Sequence, residues 1–271
     1  MKKPWLLSDQ FYPLPSEYKL GKTLDLERSR DQFLAERPSN LDYLLQSRYD
    51  WMNAYLKPEF QGIELGSGIG VGHLYIENKN LALTDVIANP WVDQVVNALR
   101  MPYPDSSMDY IIAMNMIHHV SNAVHFFDEC SRVLKPKGVL LIQEPHLSLI
   151  FRLLLRLMAH EGYDYNADVF DPQVVLNDSN NPWAANNAIP DLLFDDYRRF
   201  EKAVPFKILK QEFVECFIFP LSGGVSYRTH TINLPKLALK MVHLVDNILV
   251  KVAPSIFAMG CRGVLVNAKT E

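Results

Sequence analysis

The feature that most constrains the fold is a series of short apolar runs between residues 62 and 144. The runs read GIEL, LALT, DYIIAMN and GVLLIQE, and segments of helical length or turn chemistry separate them. Alternation of this kind is typical of a parallel, doubly wound sheet covered by helices. Ligands of such sheets bind beyond the carboxyl ends of the strands. We therefore predict an α/β fold with functional residues directly after each run.

Composition narrows the class of protein. The chain has 271 residues, of which 48% are apolar and 21% are charged, and this is typical of a folded globular protein. The net charge of −4 argues against nucleic acid as a partner, because the chain has no global cationic field. The three cysteines are far apart and lack CxxC spacing, so we expect reduced thiols in a cytoplasmic protein.

The glycine-rich stretch GIELGSGIG, residues 62–70, does not fit a phosphate-binding loop. A dinucleotide-binding GxGxxG would need a third glycine where Val71 or His73 stands. A Walker A loop needs GxxxxGK[ST], and the GKT at residues 21–23 has Ser16 in place of the first glycine. We therefore expect a ligand without a pyrophosphate.

The pattern that does fit is ExGxGxG, formed by Glu64, Gly66, Gly68 and Gly70. It resembles the first motif of class I S-adenosylmethionine-dependent methyltransferases, of the kind called methyltransferase type 11. Glycines let the backbone turn sharply and approach the cofactor closely. The resemblance implies a doubly wound, mostly parallel seven-stranded sheet of Rossmann-like topology. It also implies S-adenosylmethionine as the cofactor and S-adenosylhomocysteine as the product.

Three further stretches resemble the same family in the same order, so that the resemblance covers about residues 40 to 145. LALTD ends in Asp85, where the family places an acidic side chain that accepts hydrogen bonds from the ribose hydroxyls. NALRMPYPDSSMDYIIAMNMIHHV begins with Asn97, where an Asp often contacts the adenine amino group, and RVLKPKGVLLIQEP resembles the turn into the fifth strand. The resemblance implies these cofactor-binding residues: Glu64, Gly66, Ser67, Gly68, Gly70, Asp85, Val86, Asn97, Ala98, Leu99 and Asn115. Arg48 is a further candidate, for the cofactor carboxylate, with an ion-paired or solvated guanidinium as the alternative.

Histidines follow the fourth and fifth apolar runs and are candidate general bases. His118 and His119 lie in NMIHHV, and His146 lies in QEPH. A hydroxyl acceptor must lose its proton as it attacks the methyl group, and histidine suits that role near neutral pH. The alternative is that these side chains support the cofactor loop by packing and hydrogen bonding. The candidates for acceptor binding on the following segment are His160, Glu161 and Tyr163.

No metal site is expected from the sequence. HxxE and HExxH patterns are missing, and neighbouring histidines on an α-helix point about 100° apart.

Four regions are predicted. Residues 1–60 form an N-terminal arm and helices, with Ser39 as the N-cap of a helix that ends near Pro58. Residues 61–145 form the cofactor-binding half, and residues 146–190 form a lid. Residues 191–271 complete the sheet. In this last region we expect one helix with Leu192, Leu193, Tyr197 and Phe200 on one face, strands FKILK and FVECFIFP, a helix from Pro235 to Ala253, and a last strand CRGVLVNAK. The resemblance implies that this last strand is antiparallel.

Two apolar segments carry cationic stripes. LSLIFRLLLRLMAH has Arg152 and Arg156 one turn apart, and the stripe of the helix after Pro235 consists of Lys236, Lys240, His243, Asn247 and Lys251. Such stripes fit docking in a membrane interface. The alternatives are a cover over a substrate pocket, packing on the sheet, or a homodimer contact.

The sequence thus predicts a methyltransferase that acts on a small or amphipathic acceptor, such as a hydroxyl of a glycan, lipid or secondary metabolite. We expect it in the cytoplasm, with the inner face of a membrane as a site of peripheral contact. The alternatives are a non-catalytic module that binds S-adenosylmethionine and an NAD-dependent oxidoreductase.

Overall fold

A computed structural model describes residues 8–13, 25–159, 161–225 and 231–269. Its strands are β1 (Gln10–Phe11), β2 (Gly62–Leu65), β3 (Leu81–Asp85), β4 (Gln94–Val95), β5 (Met108–Met114), β6 (Leu134–Pro145), β7 (Tyr163–Asp164), β8 (Phe206–Val214) and β9 (Gly260–Asn267). Its α-helices are α1 (Leu26–Glu36), α2 (Ser39–Tyr49), α3 (Ala123–Val133), α4 (Leu149–Met158), α5 (Ile189–Phe194), α6 (Tyr197–Ala203), α7 (Ile218–Ser222), α8 (Lys236–Val252) and α9 (Pro254–Phe257).

Seven strands form one sheet in the order β4-β3-β2-β5-β6-β9-β8. The pairs from β4 to β6 are parallel, and β9 is antiparallel to both of its neighbours. The predicted mostly parallel sheet is therefore confirmed, including CRGVLVNAK as the antiparallel strand. The strand order reverses between β2 and β5, which makes the carboxyl ends of these two strands the expected position of a ligand crevice.

Each face of the sheet has its own buried core. On one side α3, α5 and α6 bring Phe126, Phe127 and Phe200 onto the sheet. On the other side α1 and α2 contribute Phe33 and Leu44. Burial of such large side chains is the main favourable term for folding, at about 1.5–3 kcal/mol each.

The connections among β2, β3, β4 and β5 differ from the expectation of covering helices. Residues 66–107, which the structure describes throughout, contain only one helical turn, the 3-10 turn Gly72–Leu74. Segments such as IANPWVD and MPYPDSS are rich in Pro, Asp, Asn and Ser, which favour turns over helices. Helices α1 and α2, which precede the sheet in sequence, cover that face instead.

Three local predictions were wrong. Ser39 lies inside α2 and donates its hydroxyl to Leu234 O at 2.8 Å, so it does not cap the helix. The helix expected from Pro190 to Phe200 is divided, because the Asp196 carboxylate accepts from Arg198 N and Arg199 N and starts α6 anew. The predicted strand FVECFIFP ends at Val214, since Glu215 has a left-handed φ of 62° and FIFP enters α7.

The segment between α4 and α5 is irregular but densely hydrogen-bonded. Its Asp and Asn side chains accept from backbone N–H groups two residues on, at Asp164, Asp168, Asp171, Asp178, Asn181 and Asn186. These turns explain why the segment is rich in Asp and Asn. β7 within it pairs with β1 of the N-terminal arm.

Helix α8 occupies the predicted span from Pro235 to Ala253. Among the described residues, none of the helices is long and apolar enough to cross a membrane.

Candidate functional site

The glycine loop after β2 is held in a left-handed backbone conformation. Gly66, Gly68 and Gly70 have φ values of 66°, 53° and 64°. Residues with a Cβ adopt such values at a cost of about 1–2 kcal/mol each. A Cβ on Gly70 would also overlap the ring of Trp91, whereas a Cβ on Gly68 would meet no heavy atom within 4 Å. The loop is therefore packed at Gly70 and open at Gly68.

Two side chains that sequence reasoning missed fix this loop from outside. Trp91 donates its indole N–H to Gly68 O at 2.9 Å. Arg30 donates to Ile69 O at 2.6 Å and to Gly70 O at 2.7 Å, and its guanidinium lies 5.0 Å from the centre of the Trp91 ring. Arg30 comes from α1, far from the loop in sequence, so no motif could have indicated it.

The Asp85 carboxylate, at the end of β3, faces the loop. Its Oδ2 accepts from Gly68 N and its Oδ1 accepts from Ile87 N, both at 2.9 Å. A carboxylate offers about four lone-pair positions, so each oxygen can accept one more hydrogen bond. Val86, next in the chain, is an exposed apolar side chain. Asp85 and Val86 thus offer acceptor oxygens beside an apolar surface.

The other candidates near the adenine position lie on a turn after β4. Asn97 is exposed, its Oδ1 accepts from Leu99 N at 2.9 Å, and its backbone bridges to Arg100. Ala98 and Leu99 pack on the core. Asn97 therefore uses, within its own turn, the side-chain oxygen that the resemblance places near the adenine amino group.

Glu64 is buried at the end of β2. Tyr49 donates its hydroxyl to Oε1 at 2.5 Å, and Oε2 has no hydrogen-bond partner among the described residues. Oε2 fills the space that a Cβ on Gly72 would need. Burial, together with the charge of Asp85, outweighs the opposing effect of the Tyr49 hydrogen bond and raises the pKa of Glu64 to about 7. Glu64 therefore titrates near neutral pH.

This edge of the sheet fits the cofactor that the resemblance implies. The backbone at Gly68 is open, the Asp85 oxygens have spare acceptor capacity for ribose hydroxyls, and Ser67 Oγ is buried without a hydrogen-bond partner among the described residues. Such an orphaned hydroxyl is costly unless a ligand or water satisfies it.

Glu144, at the end of β6, organises the turn after β5 and was missed by sequence reasoning. Its carboxylate accepts from Met116 N and Ile117 N at 2.8 Å and pairs with His118 Nδ1 at 2.7 Å. Asn115 adopts a φ of 49° and donates its N–H to Gln143 O at 2.7 Å. The side chain of Met116 approaches Gly66, so this turn contacts the glycine loop.

His118 and His119 lie together in the 3-10 turn Ile117–His119, and their ring centres are 4.1 Å apart. The two rings therefore lie side by side, whereas a divergence of about 100° was expected for an α-helix. His119 Nδ1 donates to Ala184 O at 3.0 Å. Burial and the neighbouring His118 lower the pKa of His119 to about 4. Burial also lowers the pKa of His118, but the hydrogen bond and charge of Glu144 outweigh it and raise that pKa overall.

His146 forms a second histidine–carboxylate pair. Its Nδ1 lies 2.7 Å from Asp191 Oδ1, and its ring lies 4.5 Å from that of Phe213. Asp191 Oδ2 accepts from Tyr165 OH at 2.5 Å and from Leu147 N at 3.2 Å. Asp191 is buried on α5 and was not predicted as a site residue. It holds the imidazole with Nε2 as the available nitrogen.

The residues predicted to bind the acceptor after α4 do not share one environment. Glu161 Oε2 lies 3.9 Å from His118 Nε2 and accepts from Asn187 Nδ2 at 3.0 Å. Tyr163 is fully buried, and Arg156 donates to its hydroxyl at 2.8 Å while Arg152 stacks on its ring. Tyr163 thus has a packing role and not the predicted acceptor contact, and His160 lies outside the described residues.

Arg48 does not point to a cofactor carboxylate as the sequence suggested. Its Nε and Nη2 bind both oxygens of Glu215 at 2.7 and 2.6 Å in a buried pair, and Gln143 donates to the same carboxylate at 2.7 Å. A bidentate pair of this kind uses the guanidinium face that would have met the cofactor. The ion-paired alternative for Arg48 is the one observed.

The family model described as a methyltransferase domain matches residues 63–142. A probable S-adenosylmethionine-dependent methyltransferase of Mycolicibacterium smegmatis is 38% identical over 50 residues, 18% of this chain and 20% of that protein. The 27-O-demethylrifamycin SV methyltransferase of Amycolatopsis mediterranei is 30% identical over 73 residues, 27% of each protein. The chain thus spans about a fifth to a quarter of the length of these curated relatives.

Among solved structures, an S-adenosylmethionine-dependent methyltransferase from Archaeoglobus fulgidus superposes with a TM-score of 0.52 at 13% sequence identity. The superposition covers 87% of this chain and 97% of that one. The similarity in fold therefore extends well beyond the matched residues 63–142.

Proposed function

We propose that this chain, whose residues 63–142 match a methyltransferase domain, is a class I S-adenosylmethionine-dependent methyltransferase that transfers a methyl group to a hydroxyl of a small or amphipathic acceptor. The observation that carries the proposal is the left-handed glycine loop, open at Gly68 and faced by Asp85, at the point where the strand order reverses. When bound, the cofactor supplies an electrophilic methyl group on a sulfonium. Gly66, Ser67, Gly68, Asp85 and Val86 would hold it.

His146 is the residue that we assign to proton removal from the acceptor. Its Nδ1 donates to the buried Asp191 carboxylate, and this fixes the tautomer in which Nε2 carries a lone pair. An imidazole oriented in this way by a carboxylate is the arrangement that general bases use for hydroxyl activation. His118, by contrast, has carboxylates at both ring nitrogens, Glu144 and Glu161, and these favour its protonated form.

The surface of α8 supports an amphipathic acceptor or a lipid surface. Six of its apolar side chains are at least 44% exposed: Leu237, Met241, Leu244, Val245, Ile248 and Val252. Lys236, Lys240 and Lys251 are also exposed on the same helix. An apolar face bordered by lysines suits the boundary between headgroups and acyl chains of an anionic membrane.

An apolar groove of about 520 Å³ runs between α7 and α8. Its lining consists of Phe217, Pro220, Leu221, Met241, Val242 and Val245. A lipid tail has the chemistry to occupy such a groove. Membrane docking was also predicted for the cationic stripe of α4, and the structure does not favour it. Arg152 and Arg156 stack on aromatic rings and do not form an exposed stripe. The rings are those of Tyr163, Tyr165 and Phe11.

The test of activity is release of S-adenosylhomocysteine from purified protein given S-adenosylmethionine and panels of hydroxylated acceptors: glycans, lipids and secondary metabolites. We expect release with at least one panel, and release with His146→Gln that is slower by about 10²–10⁴-fold. Binding of the cofactor without turnover on any panel or on a cell extract would favour the non-catalytic module. Binding of NAD instead would favour the oxidoreductase.

The test of the membrane surface is cosedimentation with anionic liposomes at low salt and at high salt. We expect salt-sensitive binding that weakens when Lys236, Lys240 and Lys251 are all changed to Gln. Lys207, Lys210 and Lys269, changed together to Gln, are the charge-matched control outside α8. The lipid assignment would be contradicted if the protein stayed in the supernatant at low salt. This holds whether the protein is a monomer or a dimer that covers α8.

A further inference from the structure

A compact group of ligating side chains lies on the lid side of the turn after β5. One ligand atom from each of His118, His119 and Glu161 lies within 4.8 Å of the other two. The three residues come from two segments, the 3-10 turn Ile117–His119 and the chain after α4. Two imidazoles and one carboxylate are the ligand set of many zinc sites that keep a further position open.

The hydrogen bonds of both rings orient them for metal binding. His119 Nδ1 contacts the carbonyl oxygen of Ala184, which can only accept, so the proton of that ring is on Nδ1. His118 Nδ1 contacts Glu144 Oε2, and the same carboxylate accepts two backbone N–H groups, so it acts as an acceptor here as well. Nε2 is therefore the ligating nitrogen of each ring.

The hydrogen bond between Glu144 and His118 would support His118 as a metal ligand. Histidine ligands commonly donate their second N–H to a carboxylate or a backbone carbonyl, which fixes the ring and raises its basicity. His118 has the first kind of support and His119 the second. These hydrogen bonds hold both rings in the orientation that a metal ligand needs, which a fortuitous cluster of three polar side chains would not require.

The spacing and the charge also suit a divalent cation. Tetrahedral zinc with bonds of about 2.0–2.2 Å places its ligand atoms about 3.4 Å apart. The distance of 3.9 Å between His118 Nε2 and Glu161 Oε2 is close to this, so a small rotation of Glu161 completes the geometry. A doubly positive ion would displace the proton that these carboxylates favour on His118, and Glu144 and Glu161 would balance the charge of the ion.

We propose that His118, His119 and Glu161 bind one Zn²⁺ ion, with at least one coordination position left for water or another oxygen ligand. The proposal goes beyond the methyltransferase assignment and does not depend on it, because it rests on the ligand set and its supporting hydrogen bonds alone.

The test uses the full chain, stripped of metal with a chelator that is then removed, and titrated with Zn²⁺ in a calorimeter and with Co²⁺ in a spectrophotometer. We expect one ion per chain and the visible absorption of Co²⁺ in a low-coordinate site. Glu161→Gln, which can still accept from Asn187, and His119→Ala should each weaken Zn²⁺ binding at least tenfold. His125→Ala, which removes an exposed histidine of α3, is the matched control and should bind as the unchanged chain does.

Thermal unfolding and binding of S-adenosylmethionine are measured on the same samples. If His119→Ala does not fold, the near-isosteric Glu161→Gln decides. No stoichiometric Zn²⁺ binding, or binding that both variants retain, would overturn the proposal. A chain that binds S-adenosylmethionine but no Zn²⁺ would contradict the metal site and leave the proposed function unaffected. Failure of the metal proposal can therefore be distinguished from failure of the proposed function.

Discussion

The donor edge and the acceptor edge of the sheet are built in opposite ways. We call donor edge the glycine loop 66–70 with Asp85, which we propose binds the cofactor. We call acceptor edge the group that we propose faces the acceptor: His118, His119, His146, Glu144 and Asp191. The donor edge uses backbone geometry within one short loop and a carboxylate 17 residues from Gly68. The acceptor edge is held by side chains separated by 26 residues for His118 and Glu144 and by 45 residues for His146 and Asp191.

This difference has a functional consequence. A contiguous glycine loop can bind the same cofactor in many proteins, because the loop backbone itself makes most of the contacts. An edge assembled from the turn after β5, the end of β6 and α5 can change with the segment between α4 and α5 while the donor edge stays the same. The two edges should therefore respond to substitution in separable ways, donor variants in cofactor affinity and acceptor variants in turnover.

The largest effect should come from His146→Gln. Loss of a positioned general base lowers the rate of the chemical step by about 10²–10⁴-fold. The affinity for S-adenosylmethionine should stay within about twofold of the unchanged chain. Single-turnover release of S-adenosylhomocysteine with an identified acceptor measures the rate, and His125→Ala is the control. A rate reduced by less than tenfold would remove His146 from the mechanism and weaken the separation of the two edges.

Gly70→Ala should disrupt the donor edge most. The left-handed φ costs about 1–2 kcal/mol, and displacement of Trp91 adds about 1–3 kcal/mol. Gly68→Ala is the matched variant, because it has the same strain at a φ of 53° and meets no heavy atom within 4 Å. Urea denaturation should therefore place Gly70→Ala below Gly68→Ala in stability. Equal losses of stability in the two variants would show that the Trp91 ring does not pack tightly against Gly70.

Glu64→Gln should change how stability depends on pH. Below pH 4.5 the carboxyl is protonated in both the folded and the unfolded chain. Between pH 4.5 and about 7 the unfolded chain loses this proton while the folded chain keeps it, so stability falls as pH rises. Above about pH 7 Glu64 is ionised in the folded chain as well, and its burial then lowers the free energy of unfolding by on the order of 3 kcal/mol.

The Gln variant removes that cost while it keeps an acceptor for Tyr49. Its stability relative to the unchanged chain should therefore increase from pH 4.5 to pH 7 and then level off. Denaturation midpoints measured across this range test the expectation. A difference that is independent of pH would mean that Glu64 loses its proton at the same pH in the folded and in the unfolded chain.

Arg30→Gln should have the smallest effect. It removes hydrogen bonds to Ile69 O and Gly70 O in a partly buried position, and each such bond contributes about 0.5–1.5 kcal/mol. We expect a loss of about 1 kcal/mol in stability and a severalfold loss in cofactor affinity, read by chemical denaturation and calorimetry. Arg28→Gln, at an exposed position of the same helix, is the control. An affinity that equals the control would show that the loop needs no support from α1.

The same contrast explains what the sequence could predict. The parallel strands of the sheet follow from apolar runs and turn residues that act locally, and the antiparallel last strand follows from the family resemblance. Gly66, Gly68 and Gly70 follow from one spacing pattern, and Asp85 follows from the resemblance at the end of the second apolar run. Trp91, Arg30, Glu144 and Asp191 carry no such pattern, because their roles arise only when distant segments pack together.

The wrong predictions have the same origin. Arg48 found a partner in Glu215, 167 residues away, and Ser39 found one in Leu234. The expected divergence of His118 and His119 assumed an α-helix, and the chain makes a tighter 3-10 turn there. Local propensity could not anticipate these outcomes, since tertiary contacts decide between competing partners of a polar side chain.

Calorimetric titration of the full chain with S-adenosylmethionine, S-adenosylhomocysteine and NAD tests the central claim most directly. The account predicts that the first two bind at one site per chain and that NAD does not bind. Asp85→Asn should weaken both by about 10-fold to 100-fold, because hydrogen bonds to a charged acceptor contribute about 1.5–3 kcal/mol. Failure to bind either S-adenosyl compound, or binding that Asp85→Asn leaves unchanged, would contradict the assignment of the glycine loop as the methyl-donor site.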